Sequence, residues 1–266
     1  MPTPSDLERD CSLLRSLHVP GEPLRLPNAW DAGSARAVVA AGFPVVATTS
    51  GGVAAALGYE DHEGAPAEEM LAAAARIKRS VDVPVTVDAE RGHGMAPADL
   101  VAALRRAGAA GCNLEDTDHA TETLLEPSVQ ADWLRAVRRA ASELGYGLVI
   151  NARIDVFLAG VLSGSDEGAQ AERVSDAVER ARAYLDAGAD CVYPIALWER
   201  DAITEFVSVV GGSVNLLPIP RAPSLGELAD LGAARISWGS LLHHQSMERF
   251  GEALASLAEG NRGGRI

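Results

Sequence analysis

Short runs of apolar and β-branched residues alternate along the chain with longer amphipathic stretches rich in alanine, leucine and arginine. The runs predict strands, and the stretches, whose apolar residues recur at helical spacing, predict helices. Several of the helical stretches end in glycine, which is typical of a helix C-cap. Strands are expected at residues 23–30, 44–50, 83–90, 111–116, 148–155, 191–197, 213–219 and 234–240.

This order of elements belongs to the α/β class. Eight strand–helix units in about 240 residues match the size of a (β/α)8 TIM barrel better than a doubly wound sheet. No linker divides the chain, so one domain is predicted over residues 1–266. Within it we expect a helical extension at residues 1–20, a mobile loop at residues 161–170 and a frayed tail at residues 260–266.

Charge and composition narrow the classes of function. The chain has 37 acidic and 23 basic side chains, a formal net charge of −14. A nucleic-acid partner is not expected, because a phosphate backbone requires a basic protein face. No apolar stretch approaches the ~18 residues of a membrane helix, so we expect a cytoplasmic protein without a membrane partner. Cys11, Cys112 and Cys191 lie far apart, which predicts neither a disulfide framework nor a thiolate zinc site.

Polar residues gather where the predicted strands end. TIM barrels place their active sites at the carboxyl ends of the strands. Because residues two apart on a strand point the same way, Asp88 and Glu90 form one pair, and Asn113 and Glu115 form another. Further polar residues at or just after strand ends are Asn28, Thr48, Thr49, Ser50, Asp61, Asp116, Asn151, Arg153, Asp155 and Asn215.

Several carboxylates at one barrel mouth repel each other unless a cation lies among them. An all-oxygen set of ligands suits Mg²⁺ or Mn²⁺ rather than zinc. The alternative is a rim of salt bridges in which Arg153 and Arg91 pair with the acids. Three loop histidines, His62, His93 and His119, are candidates for a proton carrier or for solvated loop residues.

Two features indicate a small anionic substrate. The sequence Ser50-Gly51-Gly52 predicts a turn whose backbone N–H groups are open to an anion, and the Arg153 guanidinium can bind a carboxylate through two N–H groups. Lys78 is the one lysine of the chain and falls on an outer helix, which disfavours Schiff-base chemistry. The sequence also has no dinucleotide or nucleoside triphosphate motif.

Five segments together resemble the isocitrate lyase and phosphoenolpyruvate mutase superfamily. They are LPNAWDAGSAR, TTSGGVAAALGYEDHE, VDAERGHG, NLEDTDH and NARIDVF, and in this order they cover roughly residues 25–240. The resemblance implies a Mg²⁺-dependent TIM barrel that acts on 2-oxo or 2-hydroxy acids through an enolate. It also implies a homodimer or homotetramer with an exchanged last helix.

By position, the resemblance implies metal-site acids at Asp61, Asp88, Glu90 and Glu115, with Asp88 as the direct ligand. It implies that the substrate's carboxylate and oxo oxygen lie at Ser50, Gly51 and Gly52, and that Arg153 holds another anionic group. Thr48 and Asn215 are further candidates for substrate binding.

The chain departs from the superfamily pattern after its fourth strand. The stretch EDTDHATETLL has no Lys-Lys/Arg-Cys-Gly-His motif of the lyases and no lysine and asparagine of the mutases. Cys112 precedes this stretch and does not replace the missing cysteine. Thr48 stands where an aromatic residue is usual, and Ile195 where the lyases have glutamate. A standard isocitrate or methylisocitrate lyase is therefore not expected.

Three hypotheses remain. The first is a Mg²⁺-dependent lyase that cleaves a C–C bond of a small 2-hydroxy or 2-oxo acid, with Arg153, His119 and His93 as candidate catalytic residues. The second is a mutase or hydrolase acting on phosphoenolpyruvate or phosphonopyruvate. The third is a barrel that binds a metabolite without catalysis.

Overall fold

Parallel strands form a closed ring at the centre of the protein. The computed structural model describes residues 4–158 and 170–260. All eight predicted strand segments are confirmed, most of them shorter than expected. The strands are β1 (Leu24–Leu26), β2 (Asn28–Ala29), β3 (Val46–Thr48), β4 (Val85–Asp88), β5 (Gly111–Glu115), β8 (Val149–Ile154), β9 (Cys191–Pro194), β10 (Asn215–Leu216) and β11 (Arg235–Ser237).

Strand pairing shows that the ring closes. β2, β3, β4, β5, β8 and β9 pair in parallel in this order, and β10 and β1 both pair with β11. β1 and β2 are two halves of one predicted strand, interrupted at Pro27, which has no N–H to donate to a ladder. A bridge between Val192 and Val214 connects β9 with the segment entering β10. The predicted TIM barrel is therefore confirmed.

Helices follow the strands and cover the outside of the ring. Their apolar faces pack against the strands, and left-handed glycines at Gly108 and Gly211 end two of them. The helices are α1 (Pro4–Ser16), α2 (Ala32–Ala40), α3 (Ser50–Leu57), α4 (Ala67–Arg79), α5 (Pro97–Ala107), α6 (Pro127–Glu143), α7 (Val174–Asp186), α8 (Arg200–Val210), α9 (Leu225–Asp230) and α10 (Leu241–Gly260).

Two elements differ from the sequence-based expectation. Ser50, Gly51 and Gly52 form the first turn of helix α3, so the turn predicted at these residues is the start of a helix that the sequence did not predict. After β5 the chain forms a small antiparallel hairpin from β6 (Thr117–Asp118) and β7 (Thr123–Leu124). This hairpin occupies the stretch in which the lyase motif is missing.

Helix α1 lies against the amino-terminal end of the barrel. Leu14 is fully buried, and its Cδ2 lies 2.8 Å from the place where a Cβ on Gly111 would be. Arg15 donates to Asp190 Oδ1 at 2.9 Å and to the Gly147 carbonyl at 3.0 Å, both at the entry of strands. This end of the barrel is thus closed, so access to the interior is from the carboxyl ends of the strands.

Residues 161–169 of the predicted mobile loop and residues 261–266 of the predicted tail lie outside the described residues. In the described ranges, no helix has the length and apolar character needed to cross a membrane.

Candidate functional site

A cavity of about 220 Å³ opens at the carboxyl ends of the barrel strands. Its wall includes Asp88, Asn113 and Arg153 from three successive strands of the ring, and Ser50 from the start of α3. A second cavity of about 340 Å³ shares Arg153 and includes His119. The predicted polar strand ends therefore converge on connected space. A more open groove of about 560 Å³ at Trp198, Arg221 and Glu227 contains none of the candidate residues.

Asp88 accepts hydrogen bonds on both carboxylate oxygens. Its Oδ2 accepts from the Ser50 backbone N–H at 2.9 Å, and its Oδ1 accepts from Asn113 Nδ2 at 3.4 Å. The Asp88 backbone N–H donates to Thr48 Oγ1 at 2.8 Å. Thr48 therefore positions the Asp88 backbone, and its hydroxyl is engaged in that bond.

Glu90 is held by two mouth loops that contact each other. The Glu63 backbone N–H donates to Glu90 Oε2, and the His93 backbone N–H donates to Glu63 Oε1 at 2.5 Å. Glu63, Glu90 and His93 have φ angles of 59°, 49° and 53°, a region that non-glycine residues seldom adopt and that clusters at functional sites. Burial raises the pKa of Glu90 to about 8, and the nearby acids add to this shift.

Glu115 lies between a histidine and an arginine. His119 Nε2 contacts its Oε1, and Arg153 Nη1 contacts its Oε2. Burial raises the pKa of Glu115, and Arg153 opposes that shift. His62 stacks on His119 with ring centroids 5.1 Å apart. The structure thus brings His119 to the acids, whereas His93 Nε2 lies 3.8 Å from Glu90 Oε1 and His93 lines neither mouth cavity.

Arg153 pairs with two acids and also faces the cavities. Its Nε donates to Asp155 Oδ1 at 2.6 Å, and its Nη2 donates to Asp155 Oδ2 at 3.0 Å. Asp155 is itself held by a bond from its backbone N–H to Asp116 Oδ1 at 2.9 Å. An arginine has five N–H donors, so these contacts and the one with Glu115 leave two for a ligand. The salt-bridged rim and the anion anchor are therefore compatible roles.

The remaining predicted residues adjoin the mouth without lining it. Thr48, Gly51, Gly52, Glu90, Glu115 and Asn215 are not among the described residues that line the two mouth cavities. Asn215 donates to Ser237 Oγ at 2.9 Å, and Ser237 lines the cavity in its place.

The absence of a side chain at Gly51 leaves room for the Asp61 carboxylate. A Cβ at this position would lie 2.6 Å from Asp61 Oδ2 and 2.8 Å from Ser240 Oγ. Gly51 therefore allows helix α3 to approach both side chains closely. Asp61 comes from the loop after α3, and its carboxylate reaches the mouth cavity wall.

Several functional candidates were missed in the sequence. Glu63 does not follow a strand, so the strand-end rule does not select it. Its hydrogen bonds with Glu90 and His93, here called the Glu63 clamp, form only because two loops that are distant in sequence meet in the fold. Ser237 ends the last strand and Trp238 follows it directly, so the strand-end rule was a sufficient signal for them. Further cavity residues of this kind are Tyr193, Leu217 and Ser240.

The acidic residues fit a divalent cation. Asp61 Oδ1 is buried and has no hydrogen-bond donor in the described part of the chain, whereas Glu115 Oε2 is in contact with Arg153 Nη1. Glu90, Glu115 and His119 each offer a ligand atom within 4.8 Å of the others, so this cluster contains two of the four predicted acids together with a histidine. Buried carboxylate oxygens without donors are costly unless a cation is nearby.

Two reactive residue types are remote from this chemistry. The Lys78 ammonium donates to Asp10 Oδ2 at 2.8 Å and to the carbonyl of Val83, which precedes β4 and so lies at the closed end of the barrel. Cys112 is fully buried in β5, and burial raises its pKa to about 12. Neither residue can supply a nucleophile at the mouth.

Known proteins resemble the chain over nearly its full length. The family model for phosphoenolpyruvate phosphomutase matches residues 14–258. The protein named probable 2-methylisocitrate lyase 2 of Corynebacterium glutamicum is 31% identical over 94% of this chain and 81% of its own length.

Two crystal structures extend the comparison. A Burkholderia cenocepacia protein assigned as a phosphonomutase has a TM-score of 0.84 and 41% identity, covering 94% of this chain and 99% of its own. A 2,3-dimethylmalate lyase has a TM-score of 0.78 and 26% identity, covering 93% of this chain and 84% of its own. The chain therefore belongs to the phosphoenolpyruvate phosphomutase family, within the isocitrate lyase/phosphoenolpyruvate mutase superfamily, and is an enzyme of that type.

Proposed function

We propose that the protein is a Mg²⁺- or Mn²⁺-dependent lyase that cleaves a C–C bond of a small 2-oxo or 2-hydroxy carboxylic acid through an enolate. The observation that carries this proposal is the buried Asp61 Oδ1, which has no donor among the described residues, in a mouth lined by Asp88 and beside the Glu90, Glu115 and His119 ligand atoms, which lie within 4.8 Å of one another. Asp61 and Asp88 line one cavity, and their charges and that of Glu115 act on Glu90, so this set of acids needs a cation. The relatives named as lyases are a probable 2-methylisocitrate lyase and a 2,3-dimethylmalate lyase.

The four acids have distinct positions toward the cation. Asp88 is the proposed direct ligand because it lies on the cavity wall, and Asp61, Glu90 and Glu115 complete the set directly or through water. When bound, the cation would stabilise the negative charge that develops on the substrate's oxo and carboxylate oxygens.

The chain's own groups orient the substrate. Helix α3 begins at Ser50, so its first turn presents unpaired N–H groups and the positive end of the helix dipole to an anion. The backbone N–H of Ser50 is engaged with Asp88, so the proposed donors to the substrate's carboxylate are the N–H groups of Gly51 and Gly52, which follow the cavity residue Ser50 in the same turn. The two remaining N–H groups of Arg153 bind a second oxygen or anionic group of the substrate.

His119 is the proposed proton carrier. It lines the cavity beside Arg153, and its contact with Glu115 fixes the orientation of its ring. In the proposed reaction His119 accepts the proton of a hydroxyl group on the C3 substituent. The bond between C3 and that substituent breaks, the substituent leaves as a carbonyl compound, and the electron pair of the broken bond passes to C3 and the neighbouring carbonyl. His119 then donates a proton to C3. His93 is the weaker candidate, because it lines neither cavity at the mouth.

A second function, C–P chemistry on phosphonopyruvate or phosphoenolpyruvate, is favoured by the likeness to the protein assigned as a phosphonomutase. The family membership argues against the third hypothesis, a barrel that binds without catalysis. Phosphorus NMR separates the first two functions, because only phosphorus chemistry shifts the resonance of a phosphorus substrate.

The experiment that tests the first function is a proton NMR screen of 2-oxo and 2-hydroxy acids with purified protein and Mg²⁺. We expect a 2-oxo acid product that disappears with EDTA and in Asp88→Asn. Turnover that persists without divalent metal, or in Asp88→Asn, contradicts the proposal.

We also propose that the protein is a homodimer or homotetramer joined through α10. Met247, Phe250, Leu254 and Leu257 are about half exposed or more, at helical spacing along one face. Sedimentation should show an oligomer that Phe250→Glu dissociates. A monomeric parent protein would contradict this proposal without affecting the metal site.

A further inference from the structure

Arg235 is a fully buried cation inside the barrel, at the start of β11. Its Nε and Nη1 have no hydrogen-bond partner among the described residues, and no acidic oxygen of those residues lies within 4.0 Å of its guanidinium. A buried charge without an ion pair costs free energy, and an apolar side chain of similar size is often at least as stable. The presence of arginine here is therefore not explained by stability.

Within the described residues, the Arg235 side chain donates one hydrogen bond, to Asn113, a residue of the mouth. Arg235 Nη2 donates to Asn113 Oδ1 at 3.1 Å, and Asn151 Nδ2 donates to the same oxygen at 2.9 Å. A guanidinium can only donate, so the atom of Asn113 that faces it has to be the oxygen. The Asn113 NH₂ group is consequently turned toward Asp88, at 3.4 Å from Oδ1.

This orientation of the Asn113 amide matters because the side-chain amides of Asn113 and Asn151 could otherwise rotate together, so that the O and NH₂ groups of each exchange places. Both ends of an amide have similar shape, so reversal of Asn113 and Asn151 would keep the bond between them. It would, however, point the oxygen of Asn113 at the carboxylate of Asp88. Arg235 opposes reversal, since its N–H groups would then face the Asn113 NH₂ group.

We propose that Arg235 is a positioning residue that fixes the amide of Asn113 with its NH₂ group toward Asp88, and so holds that carboxylate in the orientation that accepts a divalent cation. Arg235 itself touches neither cavity at the mouth, in the ranges the structure covers. The inference rests on the proposed metal site at Asp88. It adds Arg235, which lies deeper in the barrel than Asp88 and acts on it through the side chain of Asn113.

The test measures Mn²⁺ affinity by electron paramagnetic resonance, together with the melting temperature, in the full-length protein. Arg235→Met removes the donor and the charge while keeping similar volume. We expect it to weaken Mn²⁺ binding by about tenfold or more, as is usual when a group supporting a ligand is removed, with an unchanged or higher melting temperature.

Two further variants separate positioning from folding. Arg235→Lys keeps a charged donor toward Asn113, so Mn²⁺ affinity should stay within about threefold of the parent. Lys78→Met removes a buried cation from the far end of the barrel, so it should lower the melting temperature and leave Mn²⁺ affinity unchanged.

The outcomes distinguish this inference from the proposed function. If the parent protein binds Mn²⁺ and Arg235→Met binds it equally well, the positioning role is wrong and the metal site stands. If Arg235→Met does not fold, Arg235→Lys decides: a folded Lys variant with tenfold weaker binding also overturns the role. A parent protein that binds no Mn²⁺ contradicts the metal site and this inference together.

Discussion

Replacement of Arg153 separates its structural role from its role toward an anion. The guanidinium donates two hydrogen bonds to Asp155 and contacts Glu115, and all three side chains are buried. Arg153→Met leaves two buried carboxylates without their cation. Loss of one partner from a buried ion pair costs about 3–5 kcal/mol, so Arg153→Met should destabilise the fold by at least that amount.

Arg153→Lys is the milder change. An ammonium is a point charge on one atom and cannot reproduce the parallel pair of bonds to Asp155. Loss of one hydrogen bond to a charged group costs about 1.5–3 kcal/mol, which is the expected decrease in the free energy of unfolding. Urea titrations followed by circular dichroism measure both variants. A loss below about 1 kcal/mol for Arg153→Met would refute the reasoning.

Oxalate binding in the presence of Mg²⁺ provides the second measurement on Arg153→Lys. The variant loses the two N–H groups that are free for a ligand, so oxalate affinity should decrease by about tenfold or more. Arg138→Lys is the matched control, because Arg138 makes three contacts at the opposite end of the barrel, with Gly188, Leu148 and Asp190. It should lose stability and keep oxalate affinity. Equal oxalate affinity in both variants would contradict an anion-binding role for Arg153.

Three more predictions concern stability and the metal site. Lys78→Met should lower the free energy of unfolding in urea titrations by about 3–5 kcal/mol, and adding Asp10→Leu should restore most of it, because the pair is buried at 2.8 Å. Burial lowers the pKa of His18 from 6.5 to about 4. The contribution of neutral His18 to the free energy of unfolding is therefore fully present above pH 6.5 and is lost as the pH falls toward 4. In His18→Gln, the decrease in the free energy of unfolding between about pH 7 and pH 4.5 should be about 2–3 kcal/mol smaller than in the parent, as measured by urea unfolding. Gly51→Ala places a Cβ 2.6 Å from Asp61 Oδ2 and should weaken Mn²⁺ binding in the resonance assay, whereas unchanged affinity would exclude Asp61 from the site.

The spacing of apolar residues along the chain was sufficient to predict the barrel. It did not predict helix α3, where the local helix propensity and the tertiary packing favour different structures. The buried strands are short apolar runs bounded by turn residues, which is the clearest signal a sequence offers. Helix α3 was missed because Gly51 and Gly52 have low helix propensity. The structure explains their presence, since a Cβ on either residue would collide with a neighbour, including Thr49 for Gly52.

The candidate site was predictable only in part. Strand ends brought Asp88, Arg153 and Glu115 together as the barrel geometry requires. The Glu63 clamp joins two loops, which no spacing in the sequence reveals. Arg235 gave no signal, because a single arginine in a strand does not show whether it faces solvent or the interior.

Crystals soaked with Mg²⁺ and oxalate test the central claim most directly, because oxalate mimics the enolate of pyruvate. We expect a metal ion bound to Asp88, chelated by oxalate whose second end meets the N–H groups of Gly51 and Gly52 and the guanidinium of Arg153. Oxalate bound elsewhere, or a barrel mouth without metal at saturating Mg²⁺, would contradict the account.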